Sequence, residues 1–340
     1  MKTQKLIDTA KAMVANNQGL LAMDESLPTC NKRFAKLGIP ETAELRRDYR
    51  EMIVTTPDLN KSISAVILFD ETVHQLLKDG SSFIKAITDK GIIPGIKVDA
   101  GTIDMAGHPE EKITEGLDKL RNRLKAYAEL GLRFAKWRAV ITIKGKNIPT
   151  TECIEANAIA LARYAALCQG VGLVPIIEPE VLMDGNHSLS RCSEVTEQVL
   201  HIVFEQLYRH GILLEGMILK PNMVVPGLSC TKQESVNEVA DSTVKCLLRV
   251  VPAAVPGVAF LSGGQTSELA SARLNAMNIR FKNKLPWELS FSFGRAIQQP
   301  ALGIWLGKEA NVPEAQKALY HRAMCNSAAR KGEYNDKMDK

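Results

Sequence analysis

RFAKWRAV at 133–140 and LVPIIEPE at 173–180 are short apolar runs, each carrying charged residues two apart near its C-terminal end. Between them Ile154, Ala158, Leu161, Ala165 and Cys168 recur at helical spacing, and Gly170 is expected to stop that run. A strand, a helix and a second strand in this order imply parallel pairing through a right-handed crossover. The unit repeats outward in both directions. GLLAMD (19–24), SAVILF (64–69) and IIPGIKVD (92–99) precede it, and GMILKPN (216–222), VAFLSGG (258–264) and LSFSFGR (289–295) follow. Eight such units fit an α/β fold of the closed (β/α)8 TIM barrel type. An open doubly wound sheet is the alternative, but no GxGxxG follows the first strand and no Pro/Gly/Ser-rich linker divides the chain. Residues 1–330 therefore read as one barrel domain. It opens on an amphipathic helix carrying Leu6, Ala10, Met13 and Val14, and closes on a helix from Pro313 to Ala329. Residues 331–340, KGEYNDKMDK, read as a short, polar, mobile C-terminal tail.

The 340 residues carry 43 Lys+Arg against 38 Asp+Glu, a formal net charge of +5 that is dispersed along the chain. With no basic run interleaved with aromatics, nucleic acid is not an expected partner. The longest apolar stretch, near Val250–Leu261, is interrupted by Pro252 and Pro256 and falls short of the ~18 residues of a membrane span. The N-terminus lacks a signal-peptide core, so a cytoplasmic protein with no membrane partner is expected. Seven scattered cysteines without CxxC spacing argue against disulfides and zinc knuckles. Six histidines include no HExxH and no pair three or four apart, so neither a metal nor any other cofactor is expected.

Charged residues inside strands carry the functional signal, because a buried Lys or Glu is costly unless paired or used. Asp24 ends the first strand and Lys97 and Asp99 the third. Lys136 and Arg138 lie late in the fourth, Glu178 and Glu180 end the fifth, and Lys220 ends the sixth. Each pair is two apart and so shares one strand face. In a parallel barrel these ends converge on one mouth, where such enzymes place their active sites. A packing network of mutually neutralised charges is the competing reading. A desolvated lysine among other cations is a nucleophile toward carbonyls, and neighbouring carboxylates can carry the protons, so Schiff-base chemistry is inferred. Lys220 is preferred over Lys136, which has Arg133 and Arg138 beside it in sequence. After the seventh and eighth strands, Ser262-Gly263-Gly264 and Phe293-Gly294-Arg295 combine close backbone approach, a helix N-terminus and a guanidinium, the elements of a phosphate site.

LLAMDES (20–26), ILFDET (67–72), GIKVDAG (95–101), FAKWR (134–138), PIIEPE (175–180), LKPNM (219–223), FLSGGQ (260–265) and FSFGRA (291–296) together resemble the class I fructose-1,6-bisphosphate aldolases. The order and near-spacing match along nearly the whole chain. The resemblance implies metal-independent, reversible cleavage of fructose 1,6-bisphosphate to dihydroxyacetone phosphate and glyceraldehyde 3-phosphate. It makes Lys220 the Schiff-base lysine, Glu178 the acid/base of carbinolamine dehydration, and Lys136 its helper and stabiliser of negative charge. Asp24 becomes the carboxylate handling the C4 hydroxyl proton, with Glu180 also among the catalytic carboxylates. Ser262, Gly263, Gly264 and Arg295 would hold the phosphate on the ketone half, and Arg33, Lys97 and Arg138 would lie near the aldehyde-end phosphate. Sugar phosphates are the implied partners and a homotetramer the implied assembly. MDESLPTC looks closer to plastid and cyanobacterial members.

Two departures stand out. The longer tail closing on a tyrosine that assists enamine proton exchange has no counterpart here, the last tyrosine being Tyr334. Leu27 and Pro28 replace small polar residues beside the aldehyde-end phosphate. A preference for sedoheptulose 1,7-bisphosphate, a catalytically silent barrel scaffold and a metal-dependent aldolase are the rival readings. Trp137 is expected outside the barrel, His187 in a loop, Cys30 as an unreactive thiol and the basic run at 277–284 on a solvated face.

Overall fold

A computed structural model of the chain describes residues 2–339. Eight parallel strands close into a barrel: β1 (Gly19–Ala22), β2 (Ile63–Leu68), β3 (Ile93–Lys97), β4 (Phe134–Ile141), β5 (Val174–Val181), β6 (Ile218–Leu219), β7 (Gly257–Phe260) and β8 (Glu288–Phe293). Each strand pairs with its neighbours in chain order, and β8 returns to β1. An open sheet would leave edges and a point where the order reverses. Closure removes both.

Period two sorts the side chains. Along β4, Ala135, Trp137 and Ala139 face outward, and the Trp137 ring packs on Tyr164 of the helix Thr151–Val171 at 5.6 Å between centroids. Facing inward, Phe134 joins Leu20, Ala65, Val174, Ile176, Ile218 and Ala259 in the lower interior. The N-terminal helix Lys2–Met13 closes this end with Leu6, Ala10 and Met13, joined by Val14. Gly95 on β3 lies under the Phe134 ring, where a Cβ would overlap it. Thr9 of the helix accepts from Arg133 Nη2 at 2.6 Å. Hydrocarbon thus fills the lower half of the barrel and leaves the polar positions to the upper half.

The structure corrects several sequence expectations. The helix Thr151–Val171 runs through Gly170 and is capped instead by Gly172, whose φ of 87° suits a left-handed C-cap. The β3–β4 connection carries an antiparallel hairpin, Gly101–Asp104 with Lys112–Glu115, that was not expected. The last long helix spans Val312–Lys331. Beyond it the segment read as a mobile tail packs on the helix Ser267–Phe281. Tyr334 is buried, its N–H donates to Asn275 Oδ1 at 3.0 Å, and its hydroxyl donates to Asp339, which also pairs with Arg322. Among the described residues no helix is long and apolar enough to cross a membrane.

Candidate active site

The upper ends of the strands surround a cavity of about 610 Å³. Asp24, Lys97, Lys136, Arg138, Glu178, Glu180 and Lys220 all line it, joined by Arg33, Ser262, Gly263 and Arg295. Of the catalytic and phosphate-binding residues expected from sequence, Gly264 alone lies outside that lining, in an adjoining cleft that shares Arg33 and Arg295. The convergence follows from register. β3 sets Lys97 beside Lys136 on β4, and β4 sets Arg138 beside Glu178 and Val140 beside Glu180 on β5. β6 has only two residues, but the Lys220 N–H continues its ladder by donating to Ile177 O at 2.8 Å.

At the centre Glu178 lies between two amines. Its Oε1 is 3.0 Å from Lys220 Nζ and its Oε2 is 3.0 Å from Lys136 Nζ, which also pairs with Asp24 at 2.7 Å. All four side chains are nearly excluded from water. Burial alone would raise Asp24, but the Lys136 ammonium, then Lys220 and Lys97, override it and hold the carboxyl down at about 2. Glu178 is likewise lowered, burial being outweighed by Lys136, Lys220 and Arg138. Burial opposes charge on Lys136, yet Asp24, Glu178 and Asp99 push it well above the ordinary lysine value. Lys136 is thus a fixed cation clamped by two carboxylates, whereas Lys220 touches one, already shared. This geometry replaces the sequence argument for Lys220. Arg133 is tied to Thr9 at the opposite end of the barrel, and Arg138 pairs with Glu180.

Charge balance around the rim leaves one cation without a carboxylate among the described residues. Lys97 pairs with Asp99, Arg33 with Glu25 and Arg138 with Glu180. Arg295 is the cation lining the cavity that holds no ion pair among the described residues. It opens the helix Arg295–Trp305, whose N-terminus favours an anion, and its Nη2 lies 3.3 Å from where a Gly264 Cβ would project. Gly263 and Gly264 occupy φ of 60° and 98°, left-handed values that glycine takes at no steric cost.

The sequence marks Asp99 as a strand-end charge without a role and gives no signal for Glu25; their carboxylates hold Lys97 and Arg33. Asp99 also accepts from Gly101 N–H at 3.1 Å, a contact set by the unforeseen hairpin. Leu27–Ala35 forms a helix with Pro28 in its first turn, where proline's missing N–H costs nothing. Cys30 on this helix is buried, which pushes its thiol up to about 11 and favours the protonated form. His187 is buried in the loop after β5, and burial lowers its pKa and favours the neutral ring. In the 277–284 run Arg280 and Lys284 are exposed, as expected of a solvated basic face, with Arg280 paired to Asp241, while Met277 and Asn278 are buried. One group of possible metal ligands occurs among the described residues, His321, Cys325 and Asp339, and none of them lines the cavity.

A parallel (β/α)8 barrel with two lysines bridged by a buried glutamate at its C-terminal mouth defines a barrel enzyme equipped for lysine–carbonyl chemistry. The family model for fructose-bisphosphate aldolase class I matches residues 5–340. A probable class 1 fructose-bisphosphate aldolase of Xanthomonas campestris pv. campestris is 55% identical, covering 98% of this chain and 99% of that protein. A fructose-bisphosphate aldolase of Echinococcus multilocularis is 49% identical, over 99% and 93%. The solved fructose-bisphosphate aldolase of Plasmodium falciparum superposes with a TM-score of 0.96 at 46% identity, over 98% and 96%. The chain belongs to the class I fructose-bisphosphate aldolase family, whose chemistry runs through a lysine Schiff base.

Proposed function

We propose that this chain cleaves fructose 1,6-bisphosphate reversibly, with Lys220 as the nucleophile. The observation that carries this reading is the row Lys220–Glu178–Lys136–Asp24, in which amine, proton carrier and fixed cation lie within ion-pair distance. The Lys220 amine adds to the ketone carbonyl. Glu178 relays a proton to the carbinolamine hydroxyl, which leaves as water to give the iminium. Lys136 keeps its charge and stabilises negative charge developing on the reacting oxygens. Asp24, ionised beside Lys136, takes the C4 hydroxyl proton as the C3–C4 bond breaks and the electron pair passes to the iminium. The aldehyde departs, and the enamine is then protonated and hydrolysed, returning Lys220. Glu180 serves by holding Arg138.

Arg295, Ser262, Gly263 and Gly264 take the phosphate on the ketone half. Arg33, Lys97 and Arg138 face the aldehyde-end phosphate, each already holding a carboxylate that the phosphate must share. Sugar phosphates are the partners in this reading, in a cytoplasmic homotetramer serving glycolysis, gluconeogenesis or the Calvin cycle. Closeness to plastid and cyanobacterial members, suggested by MDESLPTC, belongs to the same proposal. Steady-state cleavage in the presence of a chelator tests the activity. Turnover should persist with wild type and vanish in Lys220→Arg, because guanidinium does not form the imine at neutral pH. Chelator-sensitive turnover, or an active Lys220→Arg, contradicts the reading. A sedoheptulose 1,7-bisphosphate assay under the same conditions ranks the two substrates.

A further inference from the structure

Arg273 lies in the helix Ser267–Phe281 after β7, and only 4% of it is exposed. Burial lowers its guanidinium to about 10 with no carboxylate among the described residues to offset it, and its Nε is buried without a partner among them. A buried cation in this state costs stability, so its presence needs a use.

Its Nη1 donates to Gln265 Oε1 at 2.8 Å. With that oxygen engaged, the other end of the amide faces back along the chain, and Gln265 Nε2 donates to Ser262 O at 3.0 Å. The Gln265 backbone N–H closes onto the same oxygen at 3.0 Å. Ser262 to Gln265 therefore forms a tight turn with Gly263 and Gly264 as its central, positive-φ residues. The Ser262 carbonyl and the Gly263 N–H belong to one planar trans peptide and point in opposite directions. Whatever fixes that carbonyl also fixes the N–H.

We infer that Arg273 is a positioning residue for phosphate recognition, orienting the Ser262–Gly263 peptide through Gln265 so that the Gly263 N–H faces a substrate phosphate held by Arg295. The inference rests on the phosphate site proposed above and adds the residue that sets its geometry. Arg273 touches no substrate atom and acts on affinity for the phosphorylated ketone, leaving Lys220 reactivity as it is.

Three variants separate this role from a structural one. Arg273→Met removes the cation but keeps the bulk. Gln265→Glu keeps an acceptor for Arg273 and loses the donor to Ser262 O. Arg273→Lys keeps a cationic donor. Dihydroxyacetone phosphate binding, borohydride trapping with unphosphorylated dihydroxyacetone, and Tm are measured for each. Arg273→Met and Gln265→Glu should bind dihydroxyacetone phosphate about tenfold more weakly, a factor worth ~1.4 kcal/mol. Both should trap dihydroxyacetone at the wild-type rate with Tm unchanged or raised, and Arg273→Lys should recover most of the affinity. Wild-type affinity in Arg273→Met or Gln265→Glu overturns the inference, as does a lowered Tm with parallel loss of both ligands. If Arg273→Met does not fold, Gln265→Glu decides alone. Arg295→Ala is measured alongside. Unchanged phosphate affinity there removes the phosphate site itself, whereas loss there with none in Gln265→Glu removes only the role of Arg273.

Discussion

Glu178 meets two lysines with its two oxygens, and in the proposed mechanism that sharing divides their roles. Lys136 cannot lose its proton without abandoning both Asp24 and Glu178, so it remains a cation. Lys220 touches a single carboxylate of the row, the one that Lys136 also holds. The same pairing makes Asp24 a source of pH-dependent stability. Its carboxyl is held at about 2 in the fold against a reference of 3.8. A depressed carboxylate stabilises above its unfolded value and loses that contribution as pH falls through the folded one. Asp24→Asn should therefore be destabilised by about 2 kcal/mol near pH 6, with the gap constant down to about pH 4 and shrinking toward pH 2. Urea midpoints of the two proteins across that range check it, and a gap that widens on acidification contradicts the ion-pair account. The strand-end charges were legible in sequence because the strand period of two puts them on one face. Asp99 stood in the same run, but its partners are set by register and by a hairpin that no periodicity announces. Arg273 and Gln265, eight apart across a turn and a helix, leave no local signal.

The strand–helix alternation was readable because buried parallel strands are continuous apolar runs. It placed seven of the eight barrel strands nearly at their observed bounds. The sixth was read as seven residues and pairs over two, since Pro221 has no N–H to donate to the ladder. Gly170 looked like a stop, but glycine inside a helix costs only ~1 kcal/mol against alanine, and packing on β4 and β5 outweighs that. The C-terminal segment misled by composition. One buried tyrosine and a carboxylate matched to Arg322 are enough to dock a polar stretch. Deleting residues 332–340 leaves the buried Arg322 without Asp339 and should cost about 3 kcal/mol, the scale of breaking a mostly buried ion pair. Tyr334 does not line the cavity, so turnover should change by less than about threefold, under ~0.7 kcal/mol in barrier. Thermal unfolding and steady-state cleavage of the truncated chain measure both. Unchanged stability with a tenfold loss of turnover would assign the segment to catalysis.

In the whole molecule, the barrel separates stability from chemistry along its axis. The N-terminal helix and a layer of hydrocarbon fill one end, while the other concentrates cations and carboxylates around a water-accessible cavity. The field there is nearly neutral until Arg295 is counted, which suits an anionic substrate that must enter and leave. Closure, strand order and the end that carries the site all follow from the repeated strand–helix unit. The pairing of each charge depends on distances that only the folded ladder supplies. The claim on which the rest depends is that Lys220 alone forms the covalent adduct. Borohydride reduction with dihydroxyacetone phosphate, followed by mass spectrometry of the proteolysed chain, should place the reduced adduct on the peptide containing Lys220 and abolish activity in proportion. An adduct on Lys136 or Lys97, or no adduct in an enzyme that turns over, would contradict it.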